Sequence, residues 1–308
     1  MVMLHAVSVG LLGYGEVGRI LAEDLRAQSV SVRAYDLKLE DASTAQPLQA
    51  HAQAHGVQLC ASAAAMAAEC DVLISAVTAS QTLAAAQSCI ARLRAGCFYL
   101  DMNSASPGIK QQAAALVDAA GGRYVESAVM TSVPPYRIRV PMLLGGTHAA
   151  ALLPVLQPLG FDAKVASEQL GVASATKMCR SVMIKGMEAL VIESLTAARH
   201  YGVEDAVLAS LQETFPGIDW QKQASYFFQR VIEHGRRRSE EMFESAHTVN
   251  DVGMPAFAAQ AIAQRQAWVA DLADRGVFGT RATPEFARSS DWRTEADRLL
   301  HSLKETSQ

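Results

Sequence analysis

The segment Gly13-Tyr14-Gly15-Glu16-Val17-Gly18 constrains this chain more than any other. It follows an apolar run at 7–12 and opens a stretch in which Val17, Ile20, Leu21 and Leu25 recur at helical spacing. A buried strand that turns into a helix through three glycines is the entry of a dinucleotide-binding fold. The first glycine permits the tight turn, the second lets the backbone approach a pyrophosphate, and the third lets helix and sheet pack closely. The diphosphate is then received by the unpaired amides at the helix start. Tyr14, Glu16 and Val17 count with the glycines as cofactor-binding positions.

A second strand pattern, 30–35, ends on Asp36. A carboxylate there accepts hydrogen bonds from ribose hydroxyls and repels a 2′-phosphate, which favours NAD. Lys38 keeps NADP possible, because a mobile ammonium can meet that phosphate.

Further strand patterns lie at 57–59, 72–77, 98–102, 124–129 and 142–144, with alanine-rich helical stretches at 81–93 and 109–119 among them. Apolar strand runs separated by helices predict an α/β fold, a Rossmann-type and mostly parallel sheet covered on both faces. Ligands of such sheets bind beyond the carboxyl ends of the strands. Val77 and Thr78 at one strand end, and Asn103 and Ser104 at the next, are therefore candidates for cofactor and substrate contacts. Pro107 suits the first position of a helix.

The character changes near residue 166. A helical pattern covers 168–200, and others follow at 203–214, 221–234, 240–249, 255–275 and 290–303, with no strand pattern after 165 and a frayed tail expected over 302–308. At 308 residues the chain has room for two cores. The expectation is a dinucleotide-binding domain over 1–166 and an all-helical substrate and dimerisation domain over 167–308, joined by the long helix.

Composition excludes several classes. A formal net charge of −4 makes no electrostatic footprint for nucleic acid. The apolar start has no basic flank or cleavage site, and no stretch is apolar for long enough to span a bilayer, so a cytoplasmic protein is expected. The five cysteines include no C-x-x-C pair and suit buried thiols in a reducing compartment. His51 and His55 have helical spacing but no acidic ligand nearby in sequence, so they read as an exposed helix face and no metal is expected.

Lys177 stands out within a small-residue segment, Ser174-Ala175-Thr176-Lys177, near the start of the junction helix. An ammonium placed there can polarise an alkoxide or carbonyl oxygen and pass a proton. Several blocks then carry a resemblance. They are Val9-Gly10-Leu11-Leu12-Gly13-Tyr14-Gly15-Glu16-Val17-Gly18, Asp101-Met102-Asn103-Ser104-Ala105-Ser106-Pro107 and Ser174-Ala175-Thr176-Lys177-Met178-Cys179-Arg180-Ser181. Lys185-Gly186-Met187-Glu188-Ala189-Leu190 and Arg237-Arg238-Ser239-Glu240-Glu241-Met242 belong with them.

Together these blocks resemble the β-hydroxyacid dehydrogenase superfamily, which includes 3-hydroxyisobutyrate and 6-phosphogluconate dehydrogenases. The likeness is to a less characterised branch with a phosphogluconate-dehydrogenase-like C-terminal domain. The resemblance implies a catalytic lysine at Lys177, a cofactor- and substrate-facing residue at Ser104, and a homodimer. It also exposes departures. The asparagine usual four residues after the lysine is Ser181, and the segment that grips the substrate carboxylate becomes Glu126-Ser127-Ala128-Val129-Met130-Thr131-Ser132. Met130 cannot replace the anchoring serine, so Thr131 and Ser132 are the nearest hydroxyls. Arg137, stiffened by Pro134-Pro135, and Arg139 and Arg180 are candidates to hold an acid instead.

The expected function is hydride transfer between a nicotinamide cofactor and a small, anionic hydroxyacid or related alcohol, with Lys177 as proton donor and acceptor. An imine reductase on the same scaffold and a non-catalytic NAD-binding sensor are the alternatives.

Overall fold

The computed structural model describes residues 7–281, 283, 286, 287 and 289–306. Its chain forms two compact units, Met1–Met178 and Cys179–Gln308. The division falls inside a helix, beyond the boundary expected at 166.

The first unit begins with β1 (Ser8–Leu12), α1 (Glu16–Ala27), β2 (Ser31–Tyr35), α2 (Ala42–His55) and β3 (Gln58–Leu59). It continues through α3 (Ala63–Ala67), β4 (Val72–Ser75), α4 (Thr82–Ile90), β5 (Phe98–Asp101) and α5 (Pro107–Ala119). Then come β6 (Arg123–Val129), α6 (Val133–Tyr136), β7 (Met142–Gly145), α7 (Ala149–Leu156) and β8 (Ala163–Ser167). The strands form one sheet of order β3-β2-β1-β4-β5-β6-β7-β8, parallel except where β7 runs against β6. The order reverses between β1 and β4, and that is where a parallel sheet opens a crevice at its carboxyl edge.

Alternation along the strands loads both faces. Leu11, Val72, Ile74, Phe98 and Leu100 pack with Leu21 and Leu25 of α1 and Leu152 and Leu156 of α7. Leu73, Tyr99 and Tyr124 point the other way, onto Met66, Cys89 and Val117 of α3, α4 and α5. β8 was not expected as a strand. It is an edge strand whose middle three residues are exposed, so it carries no apolar alternation.

The long helix α8 (Val172–Tyr201) is fastened at its start by Glu126 of β6, a fully buried carboxylate. Its Oε1 accepts from the amides of Gly171 at 2.7 Å and Ala173 at 3.1 Å. Its Oε2 accepts from the Ser174 hydroxyl at 2.6 Å and the Ser174 amide at 3.3 Å. The free amides and positive dipole of the helix start thus replace a counterion. Gly145 on the adjoining β7 leaves the room: a Cβ there would stand 2.3 Å from Glu126 Oε1.

The second unit holds the rest of α8, then α9 (Glu204–Thr214), α10 (Trp220–Asp251), α11 (Phe257–Asp274) and α12 (Trp292–Thr306). Its core joins Ile192 and Leu195 to Phe227, Phe228 and Val231, to Val269 and Leu272, and to Trp292 and Leu299. The two helices expected at 221–234 and 240–249 are one. Gly235 does not break α10 but lets α11 approach, since a Cβ there would lie 2.7 Å from the Gln266 carbonyl oxygen. The fraying expected from residue 302 is also overturned, because α12 continues to Thr306; residues 307–308 lie outside the described ones. No helix among the described residues is long and apolar enough to cross a membrane.

Two outcomes follow from these contacts. Replacing Glu126 with alanine strands the amides at the start of α8, and urea denaturation is expected to read a loss of about 3 kcal/mol. In α10, burial first and then the charges of Arg230, Arg237, Arg238 and Arg281 push His234 from the ordinary 6.5 down to about 4, although Glu233 lies 3.5 Å from its Nε2. The unfolded chain takes up a proton there before the folded one does, so this stability is complete above pH 6.5 and disappears as pH falls through about 4. Across that window the partly solvated ring accounts for about 2 kcal/mol, and His234→Gln is expected to flatten that part of the stability-versus-pH profile.

Candidate active site

The glycine loop divides its glycines by what they serve. Gly13 has φ +94°, and a Cβ on it would sit 2.6 Å from the Ala76 carbonyl oxygen beyond β4. Gly18 allows α1 to close on the turn, with only 2.1 Å between a Cβ and the Gly13 carbonyl oxygen. Gly15 meets no protein atom within 4 Å, so the fold itself does not need its missing side chain. That open approach to the first amides of α1, beside Glu16 and Val17, fits a dinucleotide pyrophosphate.

Asp36, just past β2, is held in the loop by two backbone amides. Its Oδ2 accepts the Tyr14 amide at 2.7 Å and its Oδ1 the Lys38 amide at 2.9 Å. Each oxygen retains a second lone pair for a hydroxyl donor. Tyr14 is fully buried, so the cofactor loop is tied to β2 by the carboxylate.

The ends of β4 and β5 are joined by Asn103. Its Oδ1 accepts the Val77 amide at 2.7 Å, and its Nδ2 donates to the Ser75 hydroxyl at 2.9 Å. The side chain is 3% exposed and therefore braces the two loops. Thr78 stands exposed beside it, its hydroxyl 3.3 Å from that of Ser80.

Beneath Asn103 lies a polar cluster that sequence reasoning missed. Asp101 and Lys110 are both fully buried, with Lys110 Nζ 2.8 Å from Asp101 Oδ1 and 2.9 Å from its carbonyl oxygen. The same Oδ1 accepts the Asn103 amide at 2.9 Å, and Oδ2 accepts the Tyr124 hydroxyl at 2.6 Å. Burial, and then the Asp101 charge, hold the Tyr124 phenol well above its ordinary range, so it stays a donor. The one signal in sequence was a lysine on the face that Ala113, Ala114 and Val117 bury on α5.

Ser104 follows directly. Its hydroxyl accepts a hydrogen bond from Lys177 Nζ at 2.6 Å. Both side chains are half-buried. Lys177 lies in the second turn of α8, just past the amides that Glu126 holds. Because Ser104 accepts here, its own proton remains available to another oxygen.

The other expected substrate residues are placed less uniformly. Thr131 is exposed and Ser132 half-buried in the loop after β6, at the same carboxyl edge of the sheet. Arg137 turns to α1, with Nε 2.8 Å from Asp24 Oδ1 and Nη2 2.7 Å from Glu23 Oε2. Its fork is thus committed to two carboxylates. Arg139 and Arg180 are exposed.

In the second unit Ser181 is buried and accepts from Lys185 Nζ at 3.2 Å, while Lys185 pairs with Glu241 at 2.7 Å. Burial lowers the Lys185 pKa, with Glu241 acting against that shift. The arginine triplet is spent inside the same unit, Arg236 on Asp271 and Asp274, Arg237 on Glu241, and Arg238 on Glu188.

The comparisons accord with this geometry. Residues 8–165 match the family described as the NAD binding domain of 6-phosphogluconate dehydrogenase. Residues 198–269 match a domain of unknown function, DUF1932. A conserved hypothetical protein from Sinorhizobium meliloti is 35% identical, with 96% of this chain and 98% of that one covered and a TM-score of 0.74. The conserved protein MTH1747 is 32% identical over 87% of this chain and 98% of its own, with a TM-score of 0.67, and is described as structurally similar to 3-hydroxyacid dehydrogenases. Mycobacterium tuberculosis 3-hydroxyisobutyrate dehydrogenase, solved with L-serine, shares the fold at 18% identity and a TM-score of 0.70, over 96% of this chain and 99% of its own. The chain belongs to the β-hydroxyacid dehydrogenase superfamily, and its first unit is the nicotinamide-dinucleotide-binding domain of that superfamily.

Proposed function

We propose that the protein is an NAD-dependent dehydrogenase acting on a small, anionic hydroxyacid or related alcohol, with Lys177 moving the proton at the reacting oxygen. The observation that carries this reading is the 2.6 Å hydrogen bond from Lys177 Nζ to Ser104 Oγ at the carboxyl end of β5. A bound nicotinamide supplies or accepts the hydride. Lys177 Nζ and the Ser104 hydroxyl, hydrogen-bonded to each other, stand together as the polar groups proposed to meet the reacting oxygen. In oxidation the neutral Lys177 amine takes the hydroxyl proton as the hydride leaves and the carbonyl forms, and in reduction the resulting ammonium returns that proton.

Thr131 and Ser132, at the same edge, are proposed to bind the polar end of the substrate. Ser181 is proposed to stand in for the asparagine usual in relatives. Asp36 supports NAD over NADP, since its charge opposes a 2′-phosphate. In the second unit Met183, Leu190, Tyr201 and Phe257 are each more than half exposed, which supports a homodimer.

Lys177→Ala is expected to lower kcat about 100- to 10,000-fold across a screen of small hydroxyacids while NADH affinity, read by fluorescence titration, changes little. A non-catalytic NAD sensor would show no turnover to lose, and turnover restricted to imines would point to the reductase reading. For the wild-type protein, kcat/KM measured with both cofactors is expected to favour NAD at least about tenfold, a difference of about 1.4 kcal/mol.

A further inference from the structure

Below the glycine loop, α1 and α2 bring together a second group of chemistry-bearing side chains. His51 and His55 lie one turn apart at the end of α2, their rings stacked with centroids 4.4 Å apart. The sequence shows no acid beside them, but α1 delivers one. Glu23 Oε1 stands 3.0 Å from His51 Nε2. One ligand atom each from Glu23, His51 and His55 falls within 4.8 Å of the others.

Two imidazole nitrogens and one carboxylate oxygen are a donor set for a zinc-class ion, with a fourth position left for water. Metal–ligand bonds of about 2.0–2.1 Å put tetrahedral ligand atoms about 3.3 Å apart. Because the rings are stacked, binding one ion requires the His55 ring to turn out of the stack so that both nitrogens converge, a rotation its solvent-exposed position permits.

The surrounding groups are arranged to orient the ligands. His51 Nδ1 lies 2.8 Å from the hydroxyl of fully buried Tyr14. An ion on Nε2 places the ring proton on Nδ1, where it donates to the phenol oxygen, as metal-bound histidines commonly do toward an outer acceptor. Arg137 holds the other oxygen of Glu23 at 2.7 Å and leaves Oε1 facing the histidines. Its positive charge works against a purely electrostatic cation, so selectivity favours ions that imidazole binds well over magnesium or calcium.

We propose that Glu23, His51 and His55 form a binding site for a zinc-class divalent cation, separate from the Lys177–Ser104 pair. Chelator-treated full-length protein titrated calorimetrically with zinc chloride is expected to bind one ion per chain, and magnesium chloride to give no comparable heat. Cobalt(II) is expected to show the visible d–d bands of a four- or five-coordinate site. Zinc at about 100 times its Kd is expected to raise the thermal midpoint by about 5 °C. His55→Ala, at an exposed position, is expected to fold as the wild type does by circular dichroism, bind zinc at least about tenfold more weakly and lose the cobalt bands. Glu23→Gln is expected to weaken zinc binding in the same direction. Unchanged zinc affinity in folded His55→Ala, as thiol ligation at exposed Cys179 would give, overturns the proposal. So does the absence of zinc binding to the wild-type protein.

Discussion

The carboxylate of Glu126 decides where α8 begins. It is fully buried and is satisfied by amides and a hydroxyl, so its stability depends on a helix start arriving in one position and one direction. A helix fastened this way cannot slide along its axis without leaving a buried charge unmet. Lys177 inherits that precision, because it sits a single turn beyond the fastened amides. The absence of a side chain at Gly145 is part of the same device, although Gly145 is distant in sequence from everything it serves.

A comparable arrangement supports Ser104 from below. Asp101, Lys110 and Tyr124 form a buried polar cluster, and Asn103 extends it to the ends of β4 and β5. Polar groups in such a place are costly unless fully paired, and pairing them fixes the backbone around them. The half-buried Lys177–Ser104 pair therefore rests on two rigid supports, one under each residue.

Some of this could be read from the amino-acid order alone. Gly13, Gly15 and Gly18 announce a strand–turn–helix because few other residues tolerate those positions, and strands buried on both faces leave plain apolar runs. β8 left no such mark because an exposed edge strand needs no apolar face. α10 looked broken at Gly235 because the approach of α11, which justifies the glycine, is a tertiary fact. For the same reason Glu126 and Lys110 passed as ordinary residues and Arg137 as an acid clamp. Glu126 and Arg137 are defined by partners far along the chain, as is Glu23 beside His51, and Lys110 by Asp101 across the turn from strand to helix. Local composition marks Lys177 and strand position marks Ser104, the family resemblance sets both toward one site, and the folded chain adds the hydrogen bond between them.

Asp36 carries a consequence beyond its own hydrogen bonds. The oxygen that accepts the Tyr14 amide belongs to the carboxylate proposed to meet the ribose, so on the NAD reading the shape of the loop and the choice of dinucleotide would share a single side chain. Exchanging Asp36 to admit a phosphorylated ribose also releases the turn that cradles the pyrophosphate. On that reading a lineage built on this loop would have to change two properties at once to switch cofactors, and the first step would be penalised before the second could be rewarded.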